Sequence, residues 1–161
     1  MGLFSYLRHE YVFPSQPTGT INVVENRVHN IIQRHPQQPT STEILQQAHI
    51  FFDINADFTD CFDWNTKQVF VYVVAEYATK KHPVNQVTLF DRIITSKDDA
   101  QLVISRDAKY PLTHISNKGI SNNPNVTLKL KYHIMCHSGV THTKDVSSAT
   151  VSLKMPKLNQ H

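Results

Sequence analysis

A chain of 161 residues fits one domain of ordinary size, long enough to bury a proper core. Its formal charge of +3, with ten histidines beside it, is mildly basic, but Lys and Arg are spread along the chain without the aromatic-interleaved clusters of a nucleic-acid groove. The charge therefore reads as solubility, and nucleic acid is excluded as a partner. The two cysteines, Cys61 and Cys136, stand outside any CxxC or zinc-ligand spacing and are too few for a disulfide framework, so two buried thiols are expected and no redox compartment follows.

In chain order, Met1 to Leu7 is broken by Arg8, His9 and Glu10 before any apolar run develops, which leaves neither a secretory signal nor a membrane span at the start. Gly2 does not make a myristoylation site, because Tyr6 stands where Ser or Thr is required. Residues 1–19, with Pro14 and Pro17, read as an irregular N-terminal arm, residues 20–156 as the folded domain, and residues 157–161 as a tail. A first strand fits Thr20 to Val24 and continues through Val28 to Ile32. The proline-punctuated Arg34 to Thr40 reads as a surface loop, and Ser41 to Gln47 as one or two helical turns.

From His49 the period becomes two, with Ile50, Phe52, Ile54, Ala56 and Phe58 on one face and His49, Asp53, Asn55 and Asp57 on the other, the pattern of a half-buried strand. The polar turn Asp63-Trp64-Asn65 is expected to close one end of the core with its indole buried and the indole N–H bonded to backbone. Val69 to Tyr77 follows as a β-branched and aromatic run, suited to a central strand buried on both faces. Alternation returns in Val87-Leu89-Asp91-Ile93, in Val126-Leu128-Leu130-Tyr132 and in Val151-Leu153-Met155. Turns are expected at Lys80 to Pro83, Lys97 to Asp99, Ser116 to Pro124 and Ser138 to Asp145, and Ser105 to Asn123 is the least regular stretch, lying across one edge. Recurrent strands without convincing helices predict an all-β fold, an antiparallel β-sandwich.

The search for chemistry turns up no phosphate loop, HExxH or G-x-S-x-G elbow. His133, His137 and His142 span a strand and the loop after it and need not converge, so no metal ligand is assigned. The aspartate pairs Asp57 with Asp60 and Asp98 with Asp99 fall at strand ends or turns, where solvated carboxylates are ordinary. No catalytic residue and no cofactor-binding residue is assigned, and no cofactor is expected. Tyr110, Phe90 and Arg92 are weak candidates for a partner-binding patch, with core or ordinary surface preferred for each. The sequon Asn125-Val126-Thr127 stands where a loop enters a strand, which makes Asn125 a candidate N-glycosylation site.

Several collinear blocks carry a family resemblance: Phe52-Asp53-Ile54-Asn55-Ala56-Asp57, Trp64-Asn65 with Lys67-Gln68-Val69-Phe70 and Ala75-Glu76-Tyr77, Asn85-Gln86-Val87 with Leu89 and Asp91-Arg92-Ile93, and Asn123-Pro124-Asn125-Val126-Thr127-Leu128. Over roughly Thr20 to Pro156 the chain resembles the subunit 3 family of the eukaryotic signal peptidase complex. The resemblance implies a non-catalytic accessory subunit of an endoplasmic-reticulum membrane protease, with the catalytic and other accessory subunits as partners, the domain in the lumen and the serine protease chemistry on other subunits. It also places Asn125 on the family's lumenal glycosylation motif. That family begins with a short cytosolic tail and a membrane anchor, whereas Met1 to Pro17 lack the hydrophobicity of one. A truncated or alternatively spliced gene model is thus the expectation, and a chain made as written would stay cytosolic, unglycosylated and outside the complex. The other readings are a soluble β-sandwich for ligand binding or adhesion, carbohydrate among its ligands, and a histidine-metal hydrolase.

Overall fold

The computed structural model describes residues 16–35, 38–79, 82–114 and 125–154. Two long strands open it, β1 (Thr18–His35) and β2 (Gln38–Asp57), paired antiparallel as one hairpin. There follow β3 (Thr66–Tyr77), β4 (Asn85–Ile94), β5 (Gln101–Asp107), β6 (Leu112–His114), β7 (Asn125–Cys136) and β8 (His142–Lys154). Single 3-10 turns stand at Thr59–Cys61 and Lys97–Asp99. Among the described residues no helix is long and apolar enough to cross a membrane.

Hydrogen bonds link the strands in the order β4-β3-β7-β8-β1-β2-β5, with β6 added to β2. Every pairing is antiparallel except that of β1 with β8, which is parallel at Thr18 and Ser147. The path folds over so that β4-β3-β7-β8 faces β1-β2-β5. Two edge-to-face ring pairs span the gap: Phe52 on β2 meets Phe90 on β4, and Phe58 after β2 meets Tyr132 on β7, both with centroids 6.0 Å apart. At the far edge the Tyr110 N–H donates to the Leu89 carbonyl at 2.9 Å, tying the segment before β6 to β4. The all-β sandwich is thus present, with one parallel contact in it.

The period-two reading holds where a face is set by burial. Ile50, Phe52, Ile54, Ala56 and Phe58 are buried, as are Val126, Leu128, Leu130 and Tyr132 on β7. Gly19 permits the close approach of β1 and β2, since a Cβ there would stand 2.6 Å from the Ala56 Cβ.

Five expectations are corrected. Arg34 to Thr40, expected as a surface loop, is strand at its described residues, because β1 runs to His35 and β2 starts at Gln38, paired across the hairpin. Ser41 to Gln47 is strand, not helix, because pairing with β1 from Val28 outward satisfies its backbone along the hairpin. β3 is central but not buried on both faces: Val69, Val71, Val73 and Ala75 face the core, while Phe70 and Tyr72 lie half-buried on the outer face, stacked at 5.2 Å. On β4 a register shift opposite Val73 and Val74 changes the phase, so Leu89, Phe90 and Ile94 are buried and Ile93 is exposed. The turn placed at Ser138 to Asp145 is shorter, since β8 already begins at His142. The turn at Ser116 to Pro124 falls outside the described residues, apart from its strand boundary at Asn125, as does the N-terminal arm up to residue 15.

Candidate interaction surface

Among the described residues, the turn that leads into β3 is closely hydrogen-bonded, both within itself and to the loop between β7 and β8. The Asp63 carboxylate accepts the Asn65 N–H at 2.9 Å, and the Thr66 N–H closes the turn onto the Asp63 carbonyl at 3.3 Å. The Thr66 hydroxyl lies 2.8 Å from both the Cys61 carbonyl and the Asp63 carboxylate, to one of which it donates its single proton. Asn65, buried at 6% exposure, reaches across to the loop between β7 and β8, donating to the Ser138 carbonyl at 2.9 Å and accepting the Ser138 N–H at 3.1 Å. The His137 N–H adds a bond of 2.8 Å to the Asn65 carbonyl. Gly139 completes this second loop with φ +106°, a left-handed conformation that favours glycine.

Trp64 sits at the apex of the clamped turn with 89% of its surface exposed. The expected buried indole is therefore wrong. Asn65, not Trp64, is the residue that enters the protein here, because an amide can satisfy two backbone groups of the facing loop where an indole offers one donor. Val140, 75% exposed, stands two residues beyond Ser138 on the loop to which Asn65 is tied.

Other singled-out residues scatter. Asn125 is exposed at the first position of β7, paired with Lys154 at the end of β8, and Thr127 is half-buried. Phe90 belongs to the core at 3% exposure. Tyr110 is exposed, with the Lys109 ammonium 5.1 Å from its ring centroid, and Arg92 is exposed on β4. His133 projects from β7 with its Nε2 enclosed and without a hydrogen-bond partner, His137 is exposed on the following loop, and the side chain of His142 lies outside the described residues. Among the described residues no three His, Cys, Asp or Glu side chains converge as metal ligands.

Both cysteines are free, but the expected burial holds for Cys61 alone, since Cys136, at the end of β7, is half-exposed. Burial, reinforced by Asp60 and Asp57, pushes the Cys61 thiol up to about 12. Asp57 accepts the Thr59 N–H at 2.8 Å, and hydrogen bonds from Thr59 hold its carboxyl below the usual carboxylate range. Asp99 accepts from the Ser96 hydroxyl at 3.0 Å.

Sequence reasoning missed two further features. On the outer face of β3 and β7, Glu76 pairs with Lys129 at 2.6 Å and Lys131 at 3.6 Å, and Lys131 reaches Asp145 at 3.5 Å. The cross-strand bond from Lys129 holds the Glu76 carboxyl below its ordinary value. On the other layer, an open depression of about 420 Å³ is lined by Glu25, Arg27, His29, His49, Phe51 and Asp107, with Arg27 bound through two nitrogens to the Glu25 carboxylate. Both sets lie on neighbouring strands far apart in sequence, and only the register reveals them.

The profile of a family described as signal peptidase subunit matches residues 3–158. Among curated proteins, the signal peptidase complex subunit 3 of Gallus gallus is 42% identical over 94 residues, 58% of this chain and 52% of that protein. The subunit 3 of Yarrowia lipolytica is 37% identical over 109 residues, covering 66% and 58%. That of Caenorhabditis elegans is 34% identical over 131 residues, covering 81% and 68%. The chain spans about half the length of the vertebrate relatives it matches. With the profile matched along nearly all of its strands, and relatives of one name in animals and a yeast, this chain belongs to the signal peptidase subunit family.

Proposed function

We propose that the chain acts as a non-catalytic accessory subunit of the endoplasmic-reticulum signal peptidase complex, supporting removal of signal peptides from nascent secretory proteins. In this reading the sandwich stands on the lumenal side of the membrane, packs beside the catalytic subunits and leaves peptide-bond cleavage to residues on those subunits. The observation that carries the reading is the family match over residues 3–158. The clamped loops and the salt-linked outer face support a rigid packing module, since a surface already ordered loses little freedom on association. The test is depletion of the chain in its own cells: uncleaved secretory precursors accumulate and re-expression restores cleavage, whereas unchanged precursor processing contradicts the reading.

The same reading makes Asn125 a glycan acceptor. Its exposure at the start of β7 and the Thr127 hydroxyl two residues on supply what the modification requires. Material from secretory membranes is expected to gain gel mobility on endoglycosidase treatment, and Asn125→Gln to remove the shift. Unchanged mobility of the wild-type chain contradicts the assignment.

A further inference from the structure

We propose that Trp64 is the knob by which the sandwich docks into an apolar pocket on another protein chain, a pocket rimmed by Lys or Arg, with Val140 presented on the loop to which the Trp64 turn is tied. Identification of that chain as a neighbouring subunit of the signal peptidase complex rests on the function proposed above. Among the described residues the other exposed aliphatics are Val24, Val84, Ile93 and Val103; Val24, Val84 and Val103 stand on different strands and loops, and Ile93 lies on β4 opposite half-buried Phe70, on a sheet face and not on a loop apex. Trp64 differs in size and in setting. An indole offers on the order of 200 Å² of largely apolar contact surface, and this one is displayed on a turn whose neighbours Asn65 and Thr66 are both buried and bonded. The turn is clamped to the loop bearing Val140, so the backbone that carries both side chains is ordered before a partner arrives. An aromatic on an ordered backbone, with only two side-chain torsions left to fix, is the kind of group that dominates a protein interface.

Charge selects the occupant. The pairings Thr18↔Asp57, Asp57↔Gln101, Val69↔Ile94 and Thr66↔Cys136 bring the segments 58–65, 95–100 and 137–141 to one end of the sandwich. Those segments carry Asp60, Asp63, Asp98 and Asp99 against Lys97 alone, with Asp57 and Lys67 at the adjoining strand ends. A tip that inserts tryptophan at a bilayer surface places Lys or Arg beside it to meet anionic headgroups. An acidic collar repels such a surface and complements a basic rim on a protein. Asn125 lies at the opposite end of β7, about 36 Å away by the rise of an extended strand, so a glycan there leaves the knob clear.

The experiment places a photo-reactive benzoylphenylalanine at position 64 of the tagged full chain in its own membranes, and isolates the chain after irradiation in mild detergent. An adduct with a signal peptidase subunit is expected. In parallel, Trp64→Ala is expected to lower recovery of those subunits about tenfold or more, with an unchanged unfolding midpoint; Trp64→Phe retains part of it, and Val103→Ala, on the far layer, retains all of it. Co-purification of the subunits without any position-64 adduct, and undiminished by Trp64→Ala, overturns the docking site while leaving the subunit reading intact. An adduct with lipid alone overturns it in favour of a membrane contact. Failure of the wild-type chain to recover any subunit overturns the partner assignment together with the function it rests on.

Discussion

At the scale of single residues, the fold assigns opposite duties to neighbours that look alike in sequence. Asn65 carries two hydrogen bonds between loops and is buried, so Asn65→Ala leaves the Ser138 N–H and carbonyl unpaired and is expected to cost about 1–3 kcal/mol. A urea unfolding midpoint equal to wild type contradicts that role. The two thiols diverge in the same way. Cys61 is buried and pushed up to about 12, so in native protein at pH 8 a thiol reagent is expected to modify Cys136 and spare Cys61 until denaturant is added. Two equally fast thiols contradict the burial. The turn Asp63-Trp64-Asn65-Thr66 was legible from residue types alone, but the indole's direction was not. Which apex residue turns inward depends on the facing loop, and Ser138 is 73 positions from Asn65.

At the scale of elements, alternation revealed the strands whose inner faces bury apolar side chains, and misplaced β4, where a register shift changes the phase. Period-two reading puts Ile93 inward, but the register shift on β4 puts Ile94 there at 1% exposure and leaves Ile93 53% exposed. Ile94→Ala is accordingly expected to destabilise by about 2–5 kcal/mol, and Ile93→Ala by about 0.5 kcal/mol; thermal unfolding of the two variants gives the order. Reversal of that order contradicts the register. The Glu76 network between β3 and β7 also contributes at this scale. Its hydrogen bond from Lys129, and then the charges of Lys129 and Lys131, hold the folded carboxyl below its unfolded value. The resulting stability is fully present above the ordinary Glu value of about 4.3 and is lost as pH falls through the lower folded value. Glu76→Gln is therefore expected to be less stable than wild type at pH 7, with the difference closing below about pH 4; a constant difference across that range contradicts the pairing. Helical turns expected at Ser41 to Gln47 yielded to strand because β1 offered a continuous partner, a long-range fact absent from local residue preference.

At the scale of the whole molecule, fold class followed from the recurrence of short apolar alternations and from the scarcity of helical periods. The parallel contact of β1 with β8 did not, since it joins the first described strand to the last and no local pattern records it. The surface was not legible: the family blocks include Trp64-Asn65, but the indole was expected inside and Tyr110, Phe90 and Arg92 were the patch candidates, of which Phe90 is core. In the proposed role the sandwich acts by assembly, with exposed Trp64 among aspartates at one end and exposed Asn125 at the other. The most direct measurement is affinity isolation of the tagged full chain from endoplasmic-reticulum membranes in mild detergent, with quantitative mass spectrometry of what accompanies it. The catalytic and accessory signal peptidase subunits are expected in near-equal amounts with the chain; a chain recovered without them contradicts membership in a signal peptidase assembly.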